Sequence, residues 1–144
     1  MDALLFRLVP PQRMRAGVAV LATGTGVVTS TDVVAGERRV WELVHPGSGL
    51  EDFAAAIAVT MHDDQAREVR ILEVVVADPD VLRAATLLVR ALVAEVQRDG
   101  AVSVTIVPPA SEETRAMLDA CGFVAAGGRG TVTPTAAVWR YAPA

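Results

Sequence analysis

One stretch restricts the fold more than any other, residues 68–107. It reads as a strand, a long helix and a second strand with almost nothing between them. Residues 68–77 read as a strand, and the run Val74-Val75-Val76 points to burial on both faces. Asp78-Pro79-Asp80 stops that strand. Val81–Arg98 then places Leu88, Leu92 and Val96 at i, i+4 and i+8, with Val89 and Val93 beside them. That stripe is one face of a helix. Asp80 is placed to cap its start, and Gly100 to sit just past its end. Residues 101–107 form a second buried strand, ended by Pro108-Pro109. A strand, a helix and a strand in this order predict a parallel pair with a right-handed crossover.

The remaining elements fall around this unit. Residues 4–9 read as a short strand closed by Pro10-Pro11. Residues 12–21 carry Met14, Val18 and Leu21 near helical spacing, with Gly24 suited to end the helix. Residues 27–34 are rich in Thr and Val and read as a strand or an extended loop. In residues 39–45, Val40, Glu42 and Val44 fall on one side of a strand and Trp41 and Leu43 on the other. A loop follows from His45 to Gly49. Residues 53–61 form a strand, and His62-Asp63-Asp64-Gln65 a polar turn into residues 68–77, which predicts an antiparallel hairpin. Residues 111–121 form a second helix, with Ser111 as its cap, Glu112 and Glu113 at its positive start, and Gly122 after it. Residues 123–126 and 135–141 are terminal strands joined by a Gly-rich segment. The order is β-α-β-β-β-α-β-α-β-β, an α/β fold with a mixed sheet. At 144 residues it is expected to be a single domain, 1–144, with a sizeable core.

Composition then removes whole classes of chemistry. All 13 basic residues are arginine, so there is no P-loop lysine, Schiff-base lysine or lysine general base. One Cys and two His cannot close a four-ligand zinc site, and no metal is expected. The lone Cys121 excludes an internal disulfide and suits a reducing cytoplasm. A net charge of −4 leaves no electrostatic footprint for nucleic acid. No run of about eighteen apolar residues is present, so no membrane span is expected. The mean hydropathy of +0.40 is high for a small domain and suggests an apolar patch, such as a homodimer interface.

Residues 71–123 resemble the GNAT superfamily of acyl-CoA N-acyltransferases. The features that carry the resemblance are ordered. A strand exits through Val76-Ala77-Asp78-Pro79-Asp80; a long helix closes in Arg98-Asp99-Gly100 and leads to a strand at residues 102–107; a polar helix start at Ser111 leads to Gly122-Phe123. The hairpin at residues 53–77 stands where the family has its third and fourth strands. The resemblance implies a GNAT-like fold and acetyl-CoA as co-substrate, with an amine of a small molecule or peptide as acceptor. It implies that Val74, Val75 and Val76 present backbone groups to the pantetheine arm. It also implies that the loop after the fourth strand cradles the pyrophosphate through backbone N–H groups at a helix start. Here that loop is Val81-Leu82-Arg83-Ala84-Ala85-Thr86, which lacks the family's glycines. Arg83 would supply charge, and Ala84, Ala85 and Thr86 would supply N–H groups. Ser111 falls where the family often has an Asn near the cofactor. Leu118 falls where a Tyr commonly protonates the leaving thiolate, so the general acid is unassigned.

Glu73 is the candidate base. A carboxylate among apolar residues on the fourth strand is suited to deprotonate an amine, directly or through water. Each assignment has a plainer counterpart: Glu73 as a solvent-facing strand residue, Arg83 as a solvated helix residue, Ser111 as a cap alone. His62-Asp63-Asp64 carries ligand-type side chains in a row, but Asp in a turn is explained by its own backbone hydrogen bonding. His45 reads as a loop residue or as a base in a cleft. Cys121 reads as a small apolar group at a helix end that disfavours its thiolate. Gly127-Gly128-Arg129-Gly130 reads as a connection between strands rather than a phosphate loop. The leading expectation is an acyl-CoA-dependent N-acetyltransferase; the alternative is a non-catalytic GNAT-fold ligand-binding or protein-interaction module that has lost CoA binding.

Overall fold

β5 (Glu68–Val76) is the strand around which the others are arranged. The structure, a computed structural model, describes residues 5–8, 24–29, 36–45, 53–106, 111–125 and 139–141. In chain order the other elements are β1 (Leu5–Leu8), β2 (Thr25–Thr29), β3 (Glu37–His45), β4 (Phe53–Asp63), α1 (Val81–Arg98), β6 (Ser103–Ile106), α2 (Glu112–Ala120), β7 (Phe123–Ala125) and β8 (Trp139–Tyr141). The predicted helix at 12–21, the loop at 46–49 and the segment Gly127–Gly130 lie outside the described residues, as do 30–34 and 135–138 of the predicted strands.

The sheet runs β1-β3-β4-β5-β6-β8-β7, and β2 joins it off this path by pairing with β5. β5 and β6 are parallel, as the strand–helix–strand pattern predicts, with Glu68 opposite Ser103 and Ile71 opposite Ile106. β4 and β5 form the predicted antiparallel hairpin, Asp63 opposite Glu68 and Ala56 opposite Val76. β4 is rich in alanine, a strong helix former. It is a strand because β3 and β5 pair with it on either side, and tertiary pairing overrides local preference. β4 also runs two residues further than the sequence pattern suggests. His62 and Asp63 belong to the strand, and the turn proper is residues 64–67, with Arg67 at φ 55. The Asp63 carboxylate accepts the N–H groups of Gln65 and Ala66, each at 3.1 Å, and so fixes the turn from the strand end.

Side-chain alternation along β3 divides the core. Trp41 and Leu43 point to the face covered by α1, where Ala56, Ala58, Val74 and Val76 also lie. Seven residues of α1 bury there, from Ala84 and Ala85 through Leu88, Val89, Leu92 and Val93 to Val96. α2 packs on α1 and β7, and buries Met117 and Leu118. Val40, Ile57, Val59 and Val75 form a second buried cluster on the opposite face. Burial on both faces gives the high mean hydropathy a structural use. The exposed large apolar residues among those described are Leu8, Leu82, Leu87, Val102 and Val124. No helix among the described residues is long and apolar enough to cross a membrane.

Candidate functional site

The register of β4 against β5 slips once. Val59 lies opposite Glu73 and Thr60 opposite Ile71, so Leu72 is an extra residue on β5. A bulge of this kind turns the strand and re-aims the side chains beyond it. Glu73 follows the bulge directly and is half-buried. It lies in register with Val59 on one side and with Thr29 of β2 on the other. The pairing places it on the face of the second apolar cluster. Glu42 shares that face through its register with Ile57, and it is fully buried. Sequence reading passed over Glu42; its signal was a single carboxylate inside the apolar run Val40-Trp41-Glu42-Leu43-Val44.

Val74, Val75 and Val76 are buried at 0%, 5% and 1% exposure. Their backbone is paired along both edges. β4 takes one edge, with Ala58, Ile57 and Ala56 opposite them. β2 takes the other, with Val28, Gly26 and Thr25 opposite them.

At the start of α1 the carboxylate of Asp80 accepts the N–H of Arg83 at 3.4 Å, and the Asp80 carbonyl accepts the N–H of Ala84 at 3.1 Å. Asp78 in turn accepts the N–H of Asp80 at 2.8 Å. Two carboxylates therefore surround the helix start. Ala84 and Ala85 lie inside the helix with their methyl groups in the core. The first-turn N–H groups with no carbonyl four residues earlier belong to Val81, Leu82 and Arg83, and the Asp80 carboxylate takes that of Arg83. The Thr86 hydroxyl donates to the Leu82 carbonyl at 2.7 Å.

Arg83 and Thr86 meet again on one wall of a groove of about 480 Å³ between the two helices. Leu82 and Leu87 share that wall, and Glu113, Ala116, Met117 and Ala120 form the other. Ser111 caps α2 and is exposed, its hydroxyl accepting the N–H of Thr114 at 3.4 Å. Leu118 is fully buried and has no proton to give. Cys121 is buried beside Met117, its Sγ donating to the thioether at 3.8 Å, and burial pushes its thiol above the usual range despite the nearby Arg90. The predicted cofactor residues thus fall into three neighbourhoods: the sheet edge of Val74–Val76, the helix groove with Arg83 and Thr86, and the α2 cap.

A second concavity lies at the opposite end of β5. It has a volume of about 570 Å³ and is bordered by Arg39, His62, Asp64, Arg67, Glu68 and Asp99 among others. His62 is nearly buried there, with Nε2 at 2.7 Å from the Thr60 hydroxyl, and that hydroxyl accepts the Trp41 indole N–H at 2.8 Å.

No protein-family profile matches the sequence, and no curated protein matches it either. Solved structures do match by shape. The ribosomal-protein-S18-alanine N-acetyltransferase of Escherichia coli superposes with a TM-score of 0.66 at 17% identity, over 99% of this chain and 96% of its own. A GCN5-related N-acetyltransferase from Kribbella flavida gives 0.63 at 13% identity, over 96% of each chain. A Bacillus subtilis acetyltransferase solved in complex with CoA gives 0.53 at 14% identity, over 85% of this chain and 78% of its own. With a parallel β5–β6 pair crossed by α1, an antiparallel β3–β4–β5 run before it and α2 with β7 and β8 after it, the chain has the fold of the GCN5-related N-acetyltransferases.

Proposed function

We propose that the protein is an acyl-CoA-dependent N-acyltransferase that acts on a small-molecule or peptide amine. The observation that carries this reading is the likeness in fold to N-acetyltransferases over nearly the whole chain. The complex of the Bacillus subtilis protein supports CoA as the shared co-substrate class. Glu73 supports the chemistry: it is a half-buried carboxylate set just past a bulge, where it can take a proton from an incoming amine. Arg83 on the groove wall would meet a phosphate, and the single free thiol agrees with a reducing compartment such as the cytoplasm.

The residues around β5 and the α1 start do not fit an acyl-CoA in this arrangement. An extended pantetheine arm would need the edge of Val74–Val76 that β2 covers. A diphosphate at the α1 start would face the carboxylates of Asp78 and Asp80. These two observations favour the second reading, a GNAT-fold binding or interaction module without acyl transfer.

Titration with acetyl-CoA, followed by release of free CoA in the presence of a panel of amines, decides between them. The enzyme reading expects binding and turnover. Glu73→Gln should then lower turnover about a hundredfold or more while acetyl-CoA affinity stays within about twofold. Turnover unchanged by Glu73→Gln removes Glu73 as the base, and absence of binding at millimolar acetyl-CoA leaves only the module.

A further inference from the structure

We propose that β2 is an internal strand that occupies the acyl-CoA slot and must leave β5 before an acyl-CoA can bind. The proposal rests on the acyltransferase reading above and deepens it. β4 pairs with one edge of β5 along its whole length, from Glu68 to Val76. β6 and β2 must therefore share the other edge. β6 takes the half from Glu68 to Ile71, with Ile106 its last paired position among the described residues. β2 takes the half from Glu73 to Val76. Without β2, the described residues would leave a bare, four-residue sheet edge beside Glu73. A bare edge of that kind accepts an extended ligand through backbone hydrogen bonds. β2 supplies those hydrogen bonds from within the chain, and so competes directly with any ligand that would use them.

Several features of β2 allow it to leave β5 without dismantling the rest of the sheet. It is five residues long, and among the described residues it pairs with β5 alone. β4, by comparison, has eleven residues and a neighbour on each side. Gly26 adds no side chain to the packing, and Thr25 is exposed. A register slip between Gly26 and Val28 interrupts the ladder at Val27. What holds the strand is burial of Val27 and Val28 in the main core. Short strands paired along one edge only can open locally below the free energy of global unfolding.

Locking and loosening β2 test this. In a Cys121→Ala background, Gly26→Cys with Val75→Cys joins two register partners by a disulfide. The oxidised protein should bind acetyl-CoA at least about tenfold more weakly than the same protein after reduction. Val28→Ala removes part of the strand's anchor and should bind acetyl-CoA about fivefold more tightly than the unmodified chain. Amide exchange at residues 25–29 should rise on adding acetyl-CoA. Equal affinity in the oxidised, reduced and Val28→Ala proteins overturns the gate and leaves the acyltransferase reading standing. No binding in any of the three overturns that reading, and the gate with it.

Discussion

Thr60 is the residue on which the polar centre of the sheet turns. Its hydroxyl accepts the Trp41 N–H at 2.8 Å and lies 2.7 Å from Nε2 of His62. A hydroxyl has one proton to give, and it can go to Nε2 of His62 when that nitrogen is unprotonated or to the Arg39 carbonyl at 3.4 Å. Burial and, after it, the charge of Arg39 hold the His62 pKa below the ordinary value, with Glu37, Asp64 and Asp99 opposing more weakly. Burial therefore favours the neutral ring in the fold. Protonation is easier in the unfolded chain, where histidine titrates near about 6.5. Between the lowered native pKa and about 6.5 the unfolded state binds more protons, so stability rises with pH in that window. His62 thus contributes stability that is present above about pH 6.5 and is lost as pH falls through that value toward the native pKa. Urea midpoints at about pH 7.5 and about pH 5.5 should diverge more for the natural chain than for His62→Asn. Equal divergence in the two proteins would remove His62 as the source. The sequence pattern places His62 in a turn, where none of this would hold, whereas the structure places it in β4. Two residues of extra strand changed its environment from solvent to core, and only the pairing of β4 with β3 reveals that extension.

At the scale of elements, the helix ends were legible because capping is local. Asp80 and Ser111 accept first-turn N–H groups as their residue types suggest, and Gly100 and Gly122 follow the helices with φ of 103° and 101°. The destination of β2 was not legible. Residues 27–34 read as a strand or an extended loop, whereas β2 spans Thr25–Thr29; nothing in the alternation says which edge it will join, because pairing is decided by partners some fifty positions away. The cap at Asp80 carries a consequence for anions. Asp and Asn cap helices about equally well. Asp80→Asn should therefore keep the urea midpoint of the natural chain while removing one negative charge from the α1 start. On the acyltransferase reading, CoA affinity should rise by about twofold to fivefold. Arg83→Ala should move it the other way, since it deletes the positive charge on the adjoining groove wall. Both shifts should shrink in high salt, because both charges are exposed and screened. An Asp80→Asn protein with unchanged affinity at low salt would place the phosphates somewhere other than this helix start.

For the whole molecule, the question raised by so much Ala and Val is where the apolar surface goes. One answer is the face under α1, where Leu88 and Leu92 are fully buried against β3, β4 and β5. The other is the face that carries Val40, Ile57, Val59 and Val75. The strand–helix–strand pattern made the first face readable in advance, since a helical stripe names its own buried side. The second was readable only as the Val74-Val75-Val76 run, because three consecutive valines must send side chains both ways. Glu42 and Glu73 belong to this second face, so its solidity bears on the candidate site as well as on stability. If it is a true core, truncating Ile57 must cost as much as truncating a residue under α1. Leu92→Ala and Ile57→Ala, each at a side chain with no exposure, should both lower stability by about 2–5 kcal/mol. Val102→Ala, at a side chain 72% exposed, should stay within about 0.5 kcal/mol. Urea unfolding of the three proteins reads the comparison directly. A cost for Ile57→Ala near that of Val102→Ala would mean that the second face is open to water. Glu73 would then sit in a solvated cleft rather than against a packed wall, and its suitability as a base would have to come from solvent access instead of burial.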